Sequence, residues 1–478
     1  MKQNLIFLIV DQQQRSCITD SRICQTPNID ALMADSLRFN NAHCVNSICS
    51  PSRASMITGM LPHNHGMIDC GHTVPEYRAK YDQSLDNLPK ILKEAGYHMS
   101  YYGKWHIERS FKLENFGFDD FMTERDLPKN PLTPIDKVIV KTNGYMDKTI
   151  CGVYKEGIEA TEEKFVYDKG IEFIEAHKDD DKPFCTFIST YAPHDPYAVP
   201  EEIYRMYNLD DIELPENFRD DLANRPNIYK RIRSVWNDMS ELDYKKTIAC
   251  YYGYTTLVDL QIGRLVSYLK ENGLYENTTI VYTTDHGDMV GAHGMFCKGV
   301  TPFEEVYHIP YCIKSVDERW RNVDCDVHTS TVDMAPTLLD MMGLRPLNGK
   351  VDGVSMLPYV SGEIPDGTEK TSFAEFQGQR YAYTQRIVWK DHYKYVFNGF
   401  DYDEFYDLEK DPWELSNEID NPEYQELVLE LTKEMWNKIK ESDDDCLLNA
   451  EYVMLRFAPV GPEKTAATGD FNIYNKPF

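Results

Sequence analysis

No Cys-x-x-Cys pair occurs in the 478 residues, which removes the usual zinc knuckle, and the 12 cysteines are too scattered for a disulfide scaffold. A reducing, cytoplasmic environment is therefore expected. Cations are scarce relative to anions: 50 Lys plus Arg face 78 Asp plus Glu, a formal charge of -28. Such a field repels polyanions, so neither nucleic acid nor an anionic membrane surface is an expected partner. Any bound anion must be held by a local cluster of cations. Repeats and low-complexity tracts are absent as well, and the acidic runs Asp179-Asp-Asp181 and Asp443-Asp-Asp445 read as solvated surface. The opening segment Met1-Lys-Gln-Asn-Leu-Ile-Phe-Leu-Ile-Val-Asp11 lacks the apolar length and small-residue cleavage site of a signal peptide, and reads as a buried strand.

The composition is that of an ordinary globular protein, 42% hydrophobic and 27% charged, in a chain long enough to bury a large core. Short β-rich runs, Leu5 to Val10, His98 to Tyr102, Phe184 to Thr190 and Thr278 to Thr284, alternate with helical patterns. Helices are expected over Asn28 to Leu37, Leu85 to Glu94, Thr161 to Ala176, Lys245 to Asn272 and Val332 to Met342, with Gly96, Gly273 and Gly343 as stops. This alternation predicts an α/β fold with a large, mostly parallel sheet flanked by helices. After Gly353-Val-Ser-Met-Leu-Pro358, the residues Gly362, Pro365 and Gly367 suggest a linker. Beyond it, Arg386 to Trp389, His392 to Phe397 and a helix over Tyr424 to Lys440 predict a smaller antiparallel sheet with one helix. The expected units are a catalytic domain over 1–365 and a C-terminal α+β subdomain over 366–478.

Ligands of open parallel sheets gather at the carboxyl ends of strands, so the residues just past each strand carry information. Here they are Asp11-Gln12, Gly103-Lys-Trp-His106, Ala192-Pro-His-Asp195 and Asp285-His-Gly-Asp288. Asp11 and Asp285, brought together from distant positions, would repel unless a cation lay between them. A divalent metal is the economical explanation, with Gln12 and His286 completing a mostly oxygen site compatible with calcium, magnesium or manganese. The plain alternative is that each Asp caps the helix after its strand. Lys104, His106, His194 and Lys298 supply cationic or proton-donating groups, and Arg53 adds a planar fork for an oxyanion or a neighbouring group. Metal plus cations suits sulfuryl or phosphoryl transfer, although each side chain alone reads as surface or packing.

The segment Asn46-Ser-Ile-Cys-Ser-Pro-Ser-Arg-Ala-Ser-Met-Ile-Thr-Gly59 puts Cys49 where a helix begins. The helix dipole and Arg53 would stabilise a thiolate there, so a nucleophilic thiol is one reading and a buried structural cysteine the other. Thiol phosphatases place five residues between their Cys and Arg and need no metal, whereas three residues separate Cys49 from Arg53. Cys49-Ser-Pro-Ser-Arg53 with the trailing Thr58-Gly59 resembles the type I sulfatase signature, Cys-x-Pro-x-Arg. Asp11-Gln12, Thr26-Pro-Asn-Ile-Asp30, Gly103-Lys-Trp-His106, Asp285-His-Gly287, Val332-Asp-Met-Ala-Pro-Thr337 and Phe405-Tyr-Asp-Leu-Glu-Lys-Asp-Pro412 agree with that family in order, over nearly the whole chain.

The resemblance implies an alkaline-phosphatase-like fold, sulfatase activity, and conversion of Cys49 to formylglycine by a separate maturation enzyme. A hydrated formylglycine offers two hydroxyls: one attacks sulfur, and the other loses its proton to expel sulfate and restore the aldehyde. In the family scheme one divalent metal, calcium first with manganese or magnesium as alternatives, is held by Asp11, Gln12, Asp285 and His286 and acidifies the attacking hydroxyl. Lys104, Lys298 and Arg53 would offset sulfuryl charge, His194 would protonate the leaving oxygen, and His106 would take the proton of the second hydroxyl. The expected substrate is a small sulfated molecule, a sugar by the frequency of such members. His63, His65, His72, Trp105, Glu108 and Gln377-Gly-Gln-Arg380 are candidate contacts.

Many members carry two adjacent Asp at the start and Asp-Asn at the later motif. Asp11-Gln12 with Asp285-His286 is instead similar to choline sulfatases and phosphonate monoester hydrolases. A phosphonate monoester or phosphodiester hydrolase is therefore the alternative activity, and a catalytically degenerate binding protein of the same fold is a further one.

Overall fold

In the computed structural model, residues 3–19, 23–127, 134–141, 147–363, 370–379, 383–448 and 458–461 are described. The first strand, β1 (Asn4–Val10), is buried at every position because it is central in a sheet covered on both faces. Leu5, Phe7 and Ile9 join one hydrophobic core and Ile6, Leu8 and Val10 the other, the period-two division of a pleated strand. The sheet also contains β2 (Leu37–Phe39), β3 (His98–Gly103), β4 (Asp120–Thr123), β5 (Phe184–Thr190), β6 (Thr278–Thr284), β7 (Tyr311–Lys314) and β8 (Val323–Cys325). Their spatial order is β8-β2-β7-β6-β1-β5-β3-β4. Only β7 opposes its neighbours, so the sheet is mixed and mostly parallel, as expected.

Helices α1 (Pro27–Ala34), α2 (Cys49–Thr58), α3 (Leu88–Glu94), α4 (Glu162–His177), α5 (Glu241–Glu271) and α6 (Met334–Met341) accompany this sheet. Helix α4 starts where the Thr161 side chain accepts from the Lys164 amide. Helix α5 starts at a capping box, Ser240 with Asp243, and its Val258, Ile262, Leu265 and Leu269 fill one core at helical spacing. Burying each such side chain contributes about 1.5–3 kcal/mol. None of the described helices is long and apolar enough to cross a membrane.

Several expected helix boundaries shift: the helix expected from Leu85 begins at Leu88, the one expected from Lys245 begins at Glu241, and α1 ends early. Helix α1 stops at Ala34 instead of reaching Leu37. The Ser36 hydroxyl donates to Leu32 O at 2.6 Å, and Leu37 turns into β2, where it pairs with Ile313 and Val323. Sheet pairing thus takes over a segment that local helix pattern would have continued.

The smaller antiparallel sheet runs β9 (Ser372–Phe376), β10 (Gln385–Lys390), β11 (Tyr393–Asn398) and β12 (Glu404–Asp407), in that spatial order. Helix α7 (Gln425–Glu441) presses Val428, Leu431, Met435 and Ile439 into a core shared with Val388, Tyr395 and Phe397. Strand β9 ties this layer to the larger one: the Glu375 amide donates to Val45 O at 2.9 Å, and the Asn46 side-chain amide donates to Glu375 O at 2.7 Å. The expected boundary between 365 and 366, with Pro365 and Gly367 of the linker, lies outside the described residues.

Candidate active site

Strands β1, β3, β5 and β6 run in parallel, so their carboxyl ends meet at one edge of the sheet. That edge brings Asp11, Lys104, His194 and Asp285 together from four separate stretches of chain. Backbone crowding enforces part of the arrangement. At Gly103, with φ +104°, a Cβ would stand 1.8 Å from Ser189 O, and at Gly287 it would stand 2.0 Å from Glu305 O. Neither strand end could make its turn with a larger residue.

Cys49 opens α2 and faces this edge. Arg53, one helical turn later, is 1% exposed and fully engaged. Its Nε donates to Asp285 Oδ2 at 2.6 Å, one terminal nitrogen donates to Asp11 Oδ2 at 2.9 Å, and the other donates to Lys104 O and Ser189 Oγ, each at 2.8 Å. Arg53 therefore clamps the Oδ2 atoms of both carboxylates, while Asp285 Oδ1 accepts from the Gln12 and His286 amides at 3.2 and 3.1 Å and Asp11 Oδ1 faces Cys49. Asp11 Oδ1 lies 3.9 Å from the Cys49 sulfur. His286 is oriented by its Nδ1–H, which donates to Gly287 O at 2.9 Å, so its Nε2 points to the Cys49 sulfur at 3.2 Å.

Burial raises the affinity of the Asp11 carboxyl for protons, and so does Cys49, yet Lys104, His194 and Arg53 outweigh both and hold it well below the usual carboxylate range. Burial alone would push the Cys49 thiol up, but Lys104, Lys298 and His286, with a hydrogen bond from His106, pull it well below an ordinary thiol. The Lys104 ammonium contacts Asp11 Oδ2 and lies 3.7 Å from the Cys49 sulfur. Burial opposes its charge, while Asp11 and Cys49 restore it and raise its pKa. The pocket around the sulfur thus stabilises an anion at that atom.

Gln12 holds the far wall. It sits at φ +65°, its carbonyl accepts from Tyr251 OH, its Oε1 accepts from Lys298 at 2.5 Å, and its Nε2 donates to Asp288 Oδ2 at 2.5 Å. His194 donates from Nδ1 to Asp195 O at 2.6 Å and is partly exposed, which leaves Nε2 as its working atom. His106, at φ +51°, contacts His72 and lies 3.7 Å from the Cys70 sulfur.

The oxygens of Asp11 and Asp285, His286 Nε2 and the Cys49 sulfur lie within 4.8 Å of one another, all fully buried. Two carboxylates and one imidazole in that space fit a divalent cation, and the free second lone pair of Gln12 Oε1 adds a further oxygen donor. Asp11, Gln12, Cys49, Arg53, Lys104, Asp285, His286 and Lys298 form one chain of contacts at this edge, His194 follows β5 there with a partly exposed ring, and His106 lies against His72 and Cys70.

The candidate substrate contacts divide differently. Trp105 is 1% exposed and packs edge-on against Tyr101 and Phe116, and Glu108 is consumed by the Ser110 and Phe111 amides. His65 is fully buried against Ser55 and burial pushes its pKa down to about 3. These three are packing residues. His72 is exposed beside His106. Gln379 approaches Gly299, next to Lys298, while Arg380 lies outside the described residues.

His63 is a strut between the two layers: its Nδ1 contacts Glu375 Oε2 at 2.6 Å and its Nε2 contacts Ser442 O at 3.0 Å. Burial lowers the His63 pKa but Glu375 raises it to about 9, and burial raises the Glu375 pKa but His63 brings it to about 2. The unperturbed values are 6.5 and 4.5, so this pair stabilises the fold in full between pH 4.5 and 6.5. The contribution fades as pH rises through about 9, where His63 loses its proton, and as pH falls through about 2, where Glu375 gains one. Denaturant melts of His63→Gln against the native protein are expected to differ most at pH 4.5–6.5 and to converge by strongly alkaline pH. A difference independent of pH would remove the pair from the account.

Ser189, Asp288, Tyr251 and Lys148 also support the edge and were not singled out by sequence. Ser189 lies in β5 and Asp288 inside the quoted Asp285 motif, so the strand-end rule could have reached both. Lys148 pairs with Asp195 from the start of Lys148–Tyr154, in a separate three-stranded sheet, and no local pattern announces it.

A family profile for sulfatases matches residues 3–344. The chain belongs to the sulfatase family. It is a sulfuric ester hydrolase with the mixed sheet and helical layers of the alkaline phosphatase superfamily. A second profile, described as the C-terminal part of N-sulphoglucosamine sulphohydrolase, matches residues 291–441 of this sulfatase. Among curated relatives, an arylsulfatase of Clostridium perfringens is 28% identical, covering 91% of this chain and 93% of its own. An N-acetylglucosamine-6-O-sulfatase of Bacteroides thetaiotaomicron is 26% identical over 93% of this chain and 88% of its own. In fold, the chain is similar to the phosphonate monoester hydrolase of Agrobacterium radiobacter, with a TM-score of 0.77, 22% identity, and coverage of 92% and 96%.

Proposed function

We propose that the protein removes a sulfate ester from a small sulfated carbohydrate, using a formylglycine made from Cys49 and one divalent metal. The observation that carries this reading is the convergence of the Asp11 and Asp285 carboxyl groups, the His286 imidazole and the cations Lys104 and Lys298 around the Cys49 sulfur at a helix start. An electropositive wall that favours a thiolate equally favours the deprotonated hydroxyl of an aldehyde hydrate at the same position, where the Cys49 sulfur stands in for that oxygen.

Asp11, Gln12, Asp285 and His286 would hold the metal, calcium first and manganese or magnesium as alternatives, and its chemistry there is to acidify the attacking hydroxyl and orient the ester oxygens. Lys104 and Lys298 both act on Cys49 and offset charge on the sulfuryl oxygens. Arg53 keeps both carboxylates fixed and helps hold Asp11 ionised. His194 presents its Nε2 as the acid for the leaving oxygen, and His106, beside His72 and Cys70, is the base that returns the site to the aldehyde. The maturation enzyme that makes formylglycine is the required partner. The sugar assignment is supported by the Bacteroides thetaiotaomicron relative, and a cytoplasmic location belongs to the same proposal on the scattered spacing of the cysteines.

One feature favours a second reading. Asp11-Gln12 and Asp285-His286 depart from the paired-Asp and Asp-Asn pattern of many sulfatases toward that of phosphonate monoester hydrolases. Turnover of matched aryl sulfate, phosphodiester and phosphonate esters by matured protein separates the two. The expected order places sulfate first by at least about tenfold in kcat/KM, or about 1.4 kcal/mol in transition-state binding. Strong phosphonate hydrolysis beside negligible sulfate hydrolysis would overturn the assignment.

A further inference from the structure

A second cluster of metal-ligating side chains lies outside the Cys49 site and shares no residue with it. It is built from His43, Glu304 and His308 and opens on a cavity of about 580 Å³ that Gln14, Trp389 and Trp413 also line. Glu304 Oε1 is saturated by Trp389 Nε1–H at 2.7 Å and Lys394 at 3.1 Å, which leaves Oε2 to the imidazoles. His43 Nε2 stands 3.4 Å from Oε2 and His308 Nδ1 stands 3.5 Å from it.

Those spacings have a direct meaning. Donors held about 2.1 Å from a tetrahedral ion stand roughly 3.4 Å apart, which matches both imidazole-to-carboxylate spacings, and all three donor atoms lie within 4.8 Å of one another. The protonation pattern agrees. His308 Nε2 lies 2.7 Å from Asn40 O, and a carbonyl can only accept, so the proton of this ring is on Nε2. His308 Nδ1 is therefore the ring atom turned to Glu304 Oε2, and a cation between them would be bonded by both. An imidazole whose other nitrogen donates to a backbone carbonyl is also the usual outer support of a metal ligand.

We propose that His43, Glu304 and His308 form a second metal site, for a zinc-class divalent ion, with the remaining coordination position open to the cavity. Two imidazoles and one carboxylate select zinc or its neighbours over calcium, which prefers more oxygens. Lys394 and Arg15 are the opposing cations nearby, while Glu305, Asp391 and Glu409 restore a negative balance at the cavity wall. Because Trp389 reaches Glu304 from the smaller sheet, the ion would also fasten that sheet to the catalytic layer.

The test uses the full chain, stripped by chelation and then held in saturating calcium so that the Cys49 cluster is occupied, with zinc as the added probe. The native protein is expected to hold one more tight zinc equivalent than His43→Gln/His308→Gln, whose affinity at this site falls at least about 100-fold. Turnover of a sulfate ester by that variant reports that it is folded. A readout free of substitution accompanies it: in the native protein, zinc should protect His308 from carbethoxylation by diethyl pyrocarbonate, read by peptide mass. Equal zinc content in native and variant proteins, or no protection of His308, would overturn the proposal.

Discussion

Cys49→Ala is expected to lower sulfate ester turnover by at least about four orders of magnitude while the protein folds normally. The sulfur occupies the focus of Lys104, Lys298 and His286, so removing it removes the atom on which the site converges. No other described hydroxyl or thiol occupies that position. Ser50 lies along α2 but its hydroxyl accepts from the Gly71 amide, and the Ser52 hydroxyl donates to Asp285 O at 2.6 Å. Folding should survive because Cys49 is a small side chain at the first position of α2, and its loss leaves the Arg53 clamp intact. The stability change should stay within about 1 kcal/mol, in the range of ordinary single substitutions. Normal turnover by Cys49→Ala would refute the nucleophile assignment.

Arg53→Met is expected to act in the opposite way, on the fold before the chemistry. It leaves Asp11 and Asp285, both 0% exposed, without the guanidinium that bridges their Oδ2 atoms. Breaking a buried pair by deleting one partner costs about 3–5 kcal/mol, because the charge left behind is neither solvated nor paired. Arg53→Lys should recover less than half of this, since an ammonium cannot fork to two carboxylates and to Ser189 and Lys104 O at once. The same physics predicts a metal signature. A saturating divalent cation should raise the melting temperature of Arg53→Met more than that of the native protein, because it supplies the missing positive charge. Equal stabilisation of the two by metal would contradict the placement of the cation between these carboxylates.

Much of the site is legible in the sequence because its residues follow apolar strands. Leu5 to Val10 and Thr278 to Thr284 are continuous hydrophobic or β-branched runs, and such runs suit central strands, which is how Asp11 and Asp285 come to meet at one edge. Lys298 follows no strand, and only its position relative to the family pattern draws attention to it. The errors come from packing. His65 and Trp105 flank motif residues and look available, yet the fold turns both into the core, a choice made by Ser55, Tyr101 and Phe116 rather than by their own neighbours in sequence. His63 likewise gains its role only when β9 arrives with Glu375, 312 residues further along the chain. Helix α1 shows the same limit at the level of backbone, where Leu37 obeys its sheet partners.

The most direct test of the central claim joins two readings of one sample: the mass of the peptide carrying Cys49 and the sulfate ester turnover of the same protein. Co-production with a formylglycine-generating enzyme should remove about 18 Da from that peptide, the change from thiol to aldehyde. Turnover should rise in proportion to the converted fraction and should be nearly absent from protein whose Cys49 is an unmodified thiol. Full turnover by protein with an intact Cys49 thiol would contradict the account.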